Sequence, residues 1–282
     1  MDFAGSGGGG DRDPKTSRTG PATAPTRPRT RSERVRTAPT ERASRTRSAS
    51  RSPKRRRWRW VRWAATFAGL AVVALLALVV IYRFAMPAWT PTMLARALAG
   101  EPVQQRWVPI SAVSPRLQRA VIASEDSRFC SHRGIDFEEL QEAIDSAGDN
   151  GPRGASTITM QVVKNVFLWP QRSYIRKVIE LPLALVVDAV WPKRRIIEVY
   201  LNVAEWGPGL YGIEAVSRQA FGKPASRLTG DEAARLAVSL PSPATRNPRN
   251  PEPRIRRLAE IVAARARGSI DMRCLAGKSG PT

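Results

Sequence analysis

Five short stretches between residues 125 and 223 carry side chains able to move a proton or hold an anion. The first runs Glu125-Asp126-Ser127-Arg128-Phe129-Cys130-Ser131-His132-Arg133-Gly134. It follows a helical pattern, so Glu125 falls near a helix end beside a loop. Partial burial there raises a carboxyl pKa into a range useful for proton transfer. An acidic pair in a solvated turn is the competing reading. The second runs Gly154-Ala155-Ser156-Thr157-Ile158-Thr159-Met160-Gln161 and on to Lys164 and Asn165. A glycine-bearing loop there enters a helix with hydroxyls at its start, where free N–H groups and the helix dipole favour an anion. The same hydroxyls also serve as ordinary caps. Gln161 and Lys164, three apart, share a face.

In the third stretch Arg172, Arg176 and Glu180 are spaced by four and form one stripe. On an exposed face an Arg176–Glu180 pair would contribute only about 0.3–0.5 kcal/mol. The nearly unbroken apolar run from Leu181 to Trp191 makes the stripe the polar edge of a buried helix, a place where a functional site is expected. In the fourth, Glu198 and Asn202 share a helix face ahead of Glu205-Trp206-Gly207-Pro208-Gly209, and read as hydrogen-bonding groups that hold the neighbouring turn. The fifth, Gly212 to Lys223, reads as packing followed by a glycine stop.

Helices must position these groups, and the boundary signals supply them. Ser114-Pro115 is an N-cap with proline at the first helical position. Further helices are expected over 136–147, from Ser156 or Thr157 to Leu168, over 173–190, 192–204 and 212–221, and over 254–267, where Gly268 stops the last. Thr229-Gly230-Asp231-Glu232 has the form of a capping box before one more. No sustained alternation and no hairpin turn stands out. The expected class is mainly α, with a domain over 114–268, a linker and lead-in over 83–113 and a C-terminal tail over 269–282.

Composition narrows the function. The 282 residues hold 46 Lys and Arg against 24 Asp and Glu, a net charge of +22, with one His and two Cys. So few sulfur and imidazole groups exclude a disulfide framework and a Cys/His zinc site, and a Ser-His-Asp triad would have to use His132. Such charge asks for an anionic partner. Residues 1–63 carry 18 basic and 5 acidic residues among Gly, Pro, Ser and Thr. With few apolar side chains to offset ordering entropy, they read as a disordered basic tail. It serves either to bind nucleic acid or anionic lipid, or as a solvated segment that sets membrane orientation. No folded nucleic-acid motif precedes Trp58, so no nucleic acid is expected as partner. Residues 64–82 are free of charge and, as a helix, about 28 Å long, the thickness of a bilayer core. Trp58, Trp60 and Trp63 flank the span on one side and Tyr82 closes it. The Lys/Arg cluster before it places the N-terminus in the cytoplasm and the rest outside.

In this order, the five stretches resemble the motifs of the peptidoglycan glycosyltransferase family, and in particular its monofunctional biosynthetic members of Gram-negative bacteria. The match covers about residues 115–248, and Trp191 to Gly212 is close to the family wording throughout. Met160 departs from it, where much of the family has a second Gln, and removes one polar contact to the donor. No Ser-x-x-Lys occurs, so transpeptidase activity is not expected.

The resemblance implies a lysozyme-like helical domain with a head lobe and a membrane-hugging jaw lobe. Its substrates would be lipid II and the growing lipid-linked glycan, joined by a β-1,4 bond with inversion and release of undecaprenyl pyrophosphate. Glu125 matches the family's general base and Glu180 its second catalytic carboxylate. Lys164 and Arg172 match the cations on the pyrophosphate side, with Arg176 on the same face. Ser156, Thr157 and Gln161 match the donor-site motif. Asp126, Phe129, His132, Asn165, Glu198 and Asn202 are supporting positions. A divalent metal (Mg2+ or Mn2+) near the pyrophosphate, on Glu180, is the cofactor to test. Expected partners are the inner membrane and cell-division or elongation proteins, with the catalytic domain periplasmic. Val166-Phe167-Leu168-Trp169 either dips into the interface or packs in the core. Cys130 and Cys274 would then share an oxidising compartment and pair, fastening the C-terminal tail beside the first motif.

Overall fold

The computed structural model describes residues 53–146, 156–171 and 173–276. The mainly α reading is what it shows. Helix α1 spans Pro53–Phe84, so it begins ahead of the charge-free span and takes in residues 53–63 of the expected tail. Residues 1–52 of that tail lie outside the described residues, as do 147–155, Arg172 and 277–282. Within Arg57–Phe84 of α1 the most apolar 18-residue window has a mean hydropathy of 2.7, and only 6% of it is buried, so the helix is long and apolar enough to cross a membrane.

The lead-in is more ordered than expected. It holds helix α2, Pro91–Leu98, capped by the Thr90 hydroxyl, and a short strand β1, Gln104–Gln105. Pro91 at the start and Thr90 before it form a cap signal that the apolar pattern alone understates. The expectation of no hairpin is also corrected. Strands β2, Glu205–Gly207, and β3, Leu210–Tyr211, pair antiparallel, and β1 pairs parallel with β3. Elements this short leave no alternation to read. Gly209 at the turn has φ +69°, and a Cβ there would lie 2.1 Å from the Pro102 carbonyl oxygen, so only glycine fits.

The remaining helices follow the boundary signals. They are α3 (Pro115–Glu125), α4 (Phe137–Asp145), α5 (Ile158–Phe167), α6 (Tyr174–Val190), α7 (Lys193–Val203), α8 (Ile213–Phe221), α9 (Gly230–Ser239) and α10 (Pro253–Arg267). Asp136, Thr157, Ser173 and Thr229 each accept a backbone N–H as N-caps, and Thr229 with Glu232 completes the capping box. Ser114 makes no such bond; its hydroxyl donates to the Leu228 carbonyl instead and ties α3 to the start of α9.

Two helix groups form the core. In one, where α3 and α10 also meet, α9 packs against both. Its inner face, Ala233, Ala234, Leu236 and Ala237, is fully buried, and the small side chains allow the close approach. In the other, α5 packs on α6 and α7. Ile196, Ile197, Val199, Leu201 and Val203 bury most of the circumference of α7, which is therefore a central, fixed element. Leu275 of the C-terminal tail is buried, and its carbonyl accepts from Arg194. The cysteines are bonded: Cys130 joins Cys274 with their Cα atoms 5.4 Å apart. Of 166–169, Val166 and Leu168 are buried, and Trp169 is the exposed one.

Candidate active site

A cleft of about 690 Å³ opens between the two helix groups. One wall is Ala123, Ser124 and Glu125 at the end of α3, with Pro241 and, from α10, Arg265. The other is Ser156, Gln161 and Lys164 around α5, with Arg176, Lys177 and Glu180 on α6. Residues from position 123 to position 265 thus face one space.

Glu125 is the last residue of α3. Its carboxylate accepts the Gln161 side-chain N–H at 3.0 Å, and the Gln161 oxygen accepts the Tyr200 hydroxyl at 3.2 Å. A carboxylate only accepts, so the amide must turn its NH2 toward Glu125 and its oxygen toward Tyr200. Burial pushes the Glu125 carboxyl above the ordinary range, while the Gln161 hydrogen bond and the Lys164 charge oppose that shift. The result is a base of raised proton affinity at the cleft wall.

Asp126 beside it has a different task. It is buried, and one oxygen accepts the Ile158 backbone N–H at 2.9 Å while the other contacts His132 Nε2 at 2.8 Å. The carboxylate thus sits on the N-terminus of α5, where the dipole favours it, and fastens the first motif to the second. Phe129 is fully buried and meets the His132 ring edge-on. Both pack within the loop that follows Glu125. Gly134 closes it at φ +79°, and a Cβ there would lie 2.6 Å from the Ala184 carbonyl oxygen of α6.

Two donor-side expectations are corrected. Thr157 is buried; its hydroxyl donates to the Gly134 carbonyl at 2.6 Å and caps α5 through Met160 N–H, so it holds the helix start and does not line the cleft. Met160 is also fully buried, so its departure from the family wording touches the core and not the cleft. Ser156 does line the cleft and accepts the Lys177 ammonium at 3.0 Å.

Lys177 is the group the spacing argument missed. Its ammonium also lies 3.1 Å from Glu180, which is buried and sits 4.0 Å from the Arg176 guanidinium. The signal was its i,i+3 offset from Glu180, next to the stripe of residues spaced by four. Arg176 is half-buried, and its buried Nε and Nη1 lack a hydrogen-bond partner among the described residues. Burial pulls the Lys164 ammonium below the ordinary lysine range; Glu180 and Glu125 oppose the shift, and Arg176 and Lys177 add to it. Arg172 lies outside the described residues.

Asn165 lines an adjoining cavity of about 330 Å³ that shares Gln161, Lys164 and Arg176 with the main cleft. Glu198 and Asn202 stand apart from both cavities as scaffold. Glu198 accepts the Ile110 N–H at 2.9 Å, and Asn202 brackets Val108, accepting its N–H at 2.8 Å and donating to its carbonyl at 2.9 Å. They hang the lead-in on α7. Around Glu180 the donor set does not fit a metal: two cations already flank the carboxylate, and no group of three His, Cys, Asp or Glu side chains gathers among the described residues. What the cleft offers is a cluster of cations on α5 and α6, Lys164, Arg176 and Lys177, with unfilled donors on Arg176, opposite a carboxylate of raised pKa. That suits a reaction in which a proton is removed on one side and negative charge develops on the other.

Comparison with known proteins bears on that chemistry. The family model described as Transglycosylase matches residues 92–267. A protein of Nitrobacter winogradskyi named biosynthetic peptidoglycan transglycosylase is 51% identical over 199 residues, 70% of this chain and 88% of that protein. One of the same name from Brucella suis is 50% identical over 70% of this chain and 90% of its own length. A third, from Mesorhizobium japonicum, is 48% identical over 79% of this chain and 95% of its own.

Proposed function

This chain belongs to the transglycosylase family and is a glycosyltransferase, and from that premise we propose that it polymerises lipid II into β-1,4-linked glycan strands with inversion at the donor carbon. Glu125 takes the proton from the acceptor's sugar hydroxyl as that oxygen attacks the anomeric carbon of the growing glycan. The bond to undecaprenyl pyrophosphate breaks, and its electron pair leaves on the diphosphate. Lys164, Arg176 and Lys177, with Arg172 matching the same role, receive that charge. Glu180 holds Lys177 and Arg176 in place.

The observation that carries this reading is the joint placement of Glu125 and the cation cluster in one cleft. Hydrolysis of finished glycan would need the carboxylates but not the cations. The absence of a Ser-x-x-Lys in the sequence supports a polymerase without transpeptidase activity. Lys54-Arg55-Arg56-Arg57 before the apolar part of α1 supports a cytoplasmic N-terminus and a periplasmic catalytic domain in the inner membrane. The Cys130–Cys274 bond supports the same side, since disulfides persist in oxidising compartments.

The test is the purified full chain with labelled lipid II. Polymer that disappears in Glu125→Gln is the expected result. No polymer, under conditions where another family member polymerises, would remove the reading.

A further inference from the structure

Side chains that no step above uses tie the last turns of α1 to the catalytic domain. The Trp191 indole N–H donates to the Val79 carbonyl at 2.7 Å. The Arg195 guanidinium donates to the Tyr82 carbonyl through Nε and Nη2, at 3.1 and 3.0 Å, and to the Ala85 carbonyl just past the helix. From the other side, Arg83 donates to the Val190 carbonyl. The last carbonyls of a helix have no partner within it and carry its negative dipole end, so a buried guanidinium is well suited to gather them. Arg195 is itself held: Glu198 pairs with it on one side, and the Trp107 ring lies 5.4 Å from its carbon centre.

The clamp grips the helix that orients the base. Both Arg195 and Glu198 belong to α7, whose buried middle carries Tyr200. From Tyr200 the hydrogen bonds continue through Gln161 to Glu125. The end of the apolar helix and the proton-accepting carboxylate are thus connected through one fixed element. A substrate whose diphosphate is anchored in a bilayer reaches the cleft at a height set by the lipid. A domain free to swing on its tether would present Glu125 at that height only part of the time, and small misplacements are costly in rate.

We propose that Arg195, assisted by Trp191, is a positioning residue that locks the exit of α1 onto α7 and so fixes the height and tilt of the cleft over the lipid surface. This rests on the reading that the cleft polymerises a lipid-linked sugar.

The test uses the full chain in phospholipid nanodiscs and two substrates: the disaccharide-peptide on its long polyprenyl chain in the bilayer, and a short-chain, water-soluble analogue. Arg195→Ala should lower the rate on the bilayer-held substrate by about tenfold or more while changing the soluble one by less than about twofold. Arg195→Lys, which keeps the charge but not the fork, should fall between. Equal losses on both substrates, or none on either, overturn the proposal. A second readout does not pass through activity. Spin labels at the exposed positions 73 and 260 should give a narrow distance distribution in the parent protein and a broad one in Arg195→Ala. A parent protein that fails to polymerise overturns the reaction assigned to the cleft, whereas a distribution indifferent to Arg195 overturns the clamp.

Discussion

Glu125 and Tyr200 do not touch, yet both hold the same amide: Gln161 gives its N–H to the carboxylate at 3.0 Å and receives the phenol proton at 3.2 Å. Tyr200 is buried in α7, so the base is aimed by a rigid helix through a side chain with only one satisfactory orientation. Tyr200→Phe keeps the ring and removes the hydroxyl. One neutral hydrogen bond is worth about 0.5–1.5 kcal/mol, so kcat should fall several-fold, to at most about tenfold, with KM little changed. Steady-state kinetics check this; a change in KM alone would place Gln161 in binding and not in orientation.

Glu125→Gln should abolish polymerisation, a loss of about 10²–10⁴ for a general base, and should raise the melting temperature at neutral pH. The sign follows from the raised carboxyl pKa. A group whose folded-state pKa lies above its unfolded value favours folding below the unfolded value, and that contribution is lost as pH rises through the folded one. At neutral pH the buried charge therefore costs stability that a neutral amide does not. Melting curves of the two proteins should separate at neutral pH and converge in acid.

The pH profile of kcat/KM should be bell-shaped and narrower than unperturbed groups would give. Glu125 must be ionised, and burial lifts its pKa, so the acid limb moves up. Lys164 must be charged, and burial lowers its pKa, so the basic limb moves down. Lys164→Arg should displace the basic limb toward higher pH and leave the acid limb in place.

Lys177→Ala and Arg176→Ala should each lower kcat more than they weaken acceptor binding, because the charge they meet is largest as the diphosphate departs. Lys177→Ala also removes the 3.1 Å partner of buried Glu180. Adding Glu180→Gln to it should therefore recover part of any lost melting temperature without recovering activity.

Breaking the Cys130–Cys274 bond by Cys274→Ser should destabilise the protein by about 2–4 kcal/mol, read as a lower denaturant midpoint. The bond closes a loop of 144 residues and holds the tail against the loop that follows Glu125. Parent protein in reductant should move to the same midpoint.

Helix positions were legible because capping is local. Thr157, Ser173 and Thr229 each satisfy a backbone N–H within three residues, and short-range signals of that kind need no tertiary partner. The three-stranded sheet was not legible, since strands of two or three residues show no alternation and β1 comes to β3 from more than 100 positions away. Helix α2 was passed over because its apolar face is short and its flanks are irregular. Glu125, Gln161, Lys164 and the Arg176–Glu180 stripe were marked as candidates by residue type and spacing, and the family resemblance supplied the roles proposed for them. Thr157 stayed open between a cap and a donor contact, because a hydroxyl at a helix start looks the same whether it caps or binds.

By itself the sequence determined the apolar span of α1, the order of helices and the kinds of groups available to the chemistry, all of which follow from composition and near-neighbour geometry. Only the tertiary structure decided that Glu125 and the cations of α5 and α6 share one space, that Lys177 belongs among them, and that Arg195 grips the end of α1. Those facts depend on contacts between residues tens to more than a hundred positions apart, and such contacts are settled by packing, which no local pattern encodes.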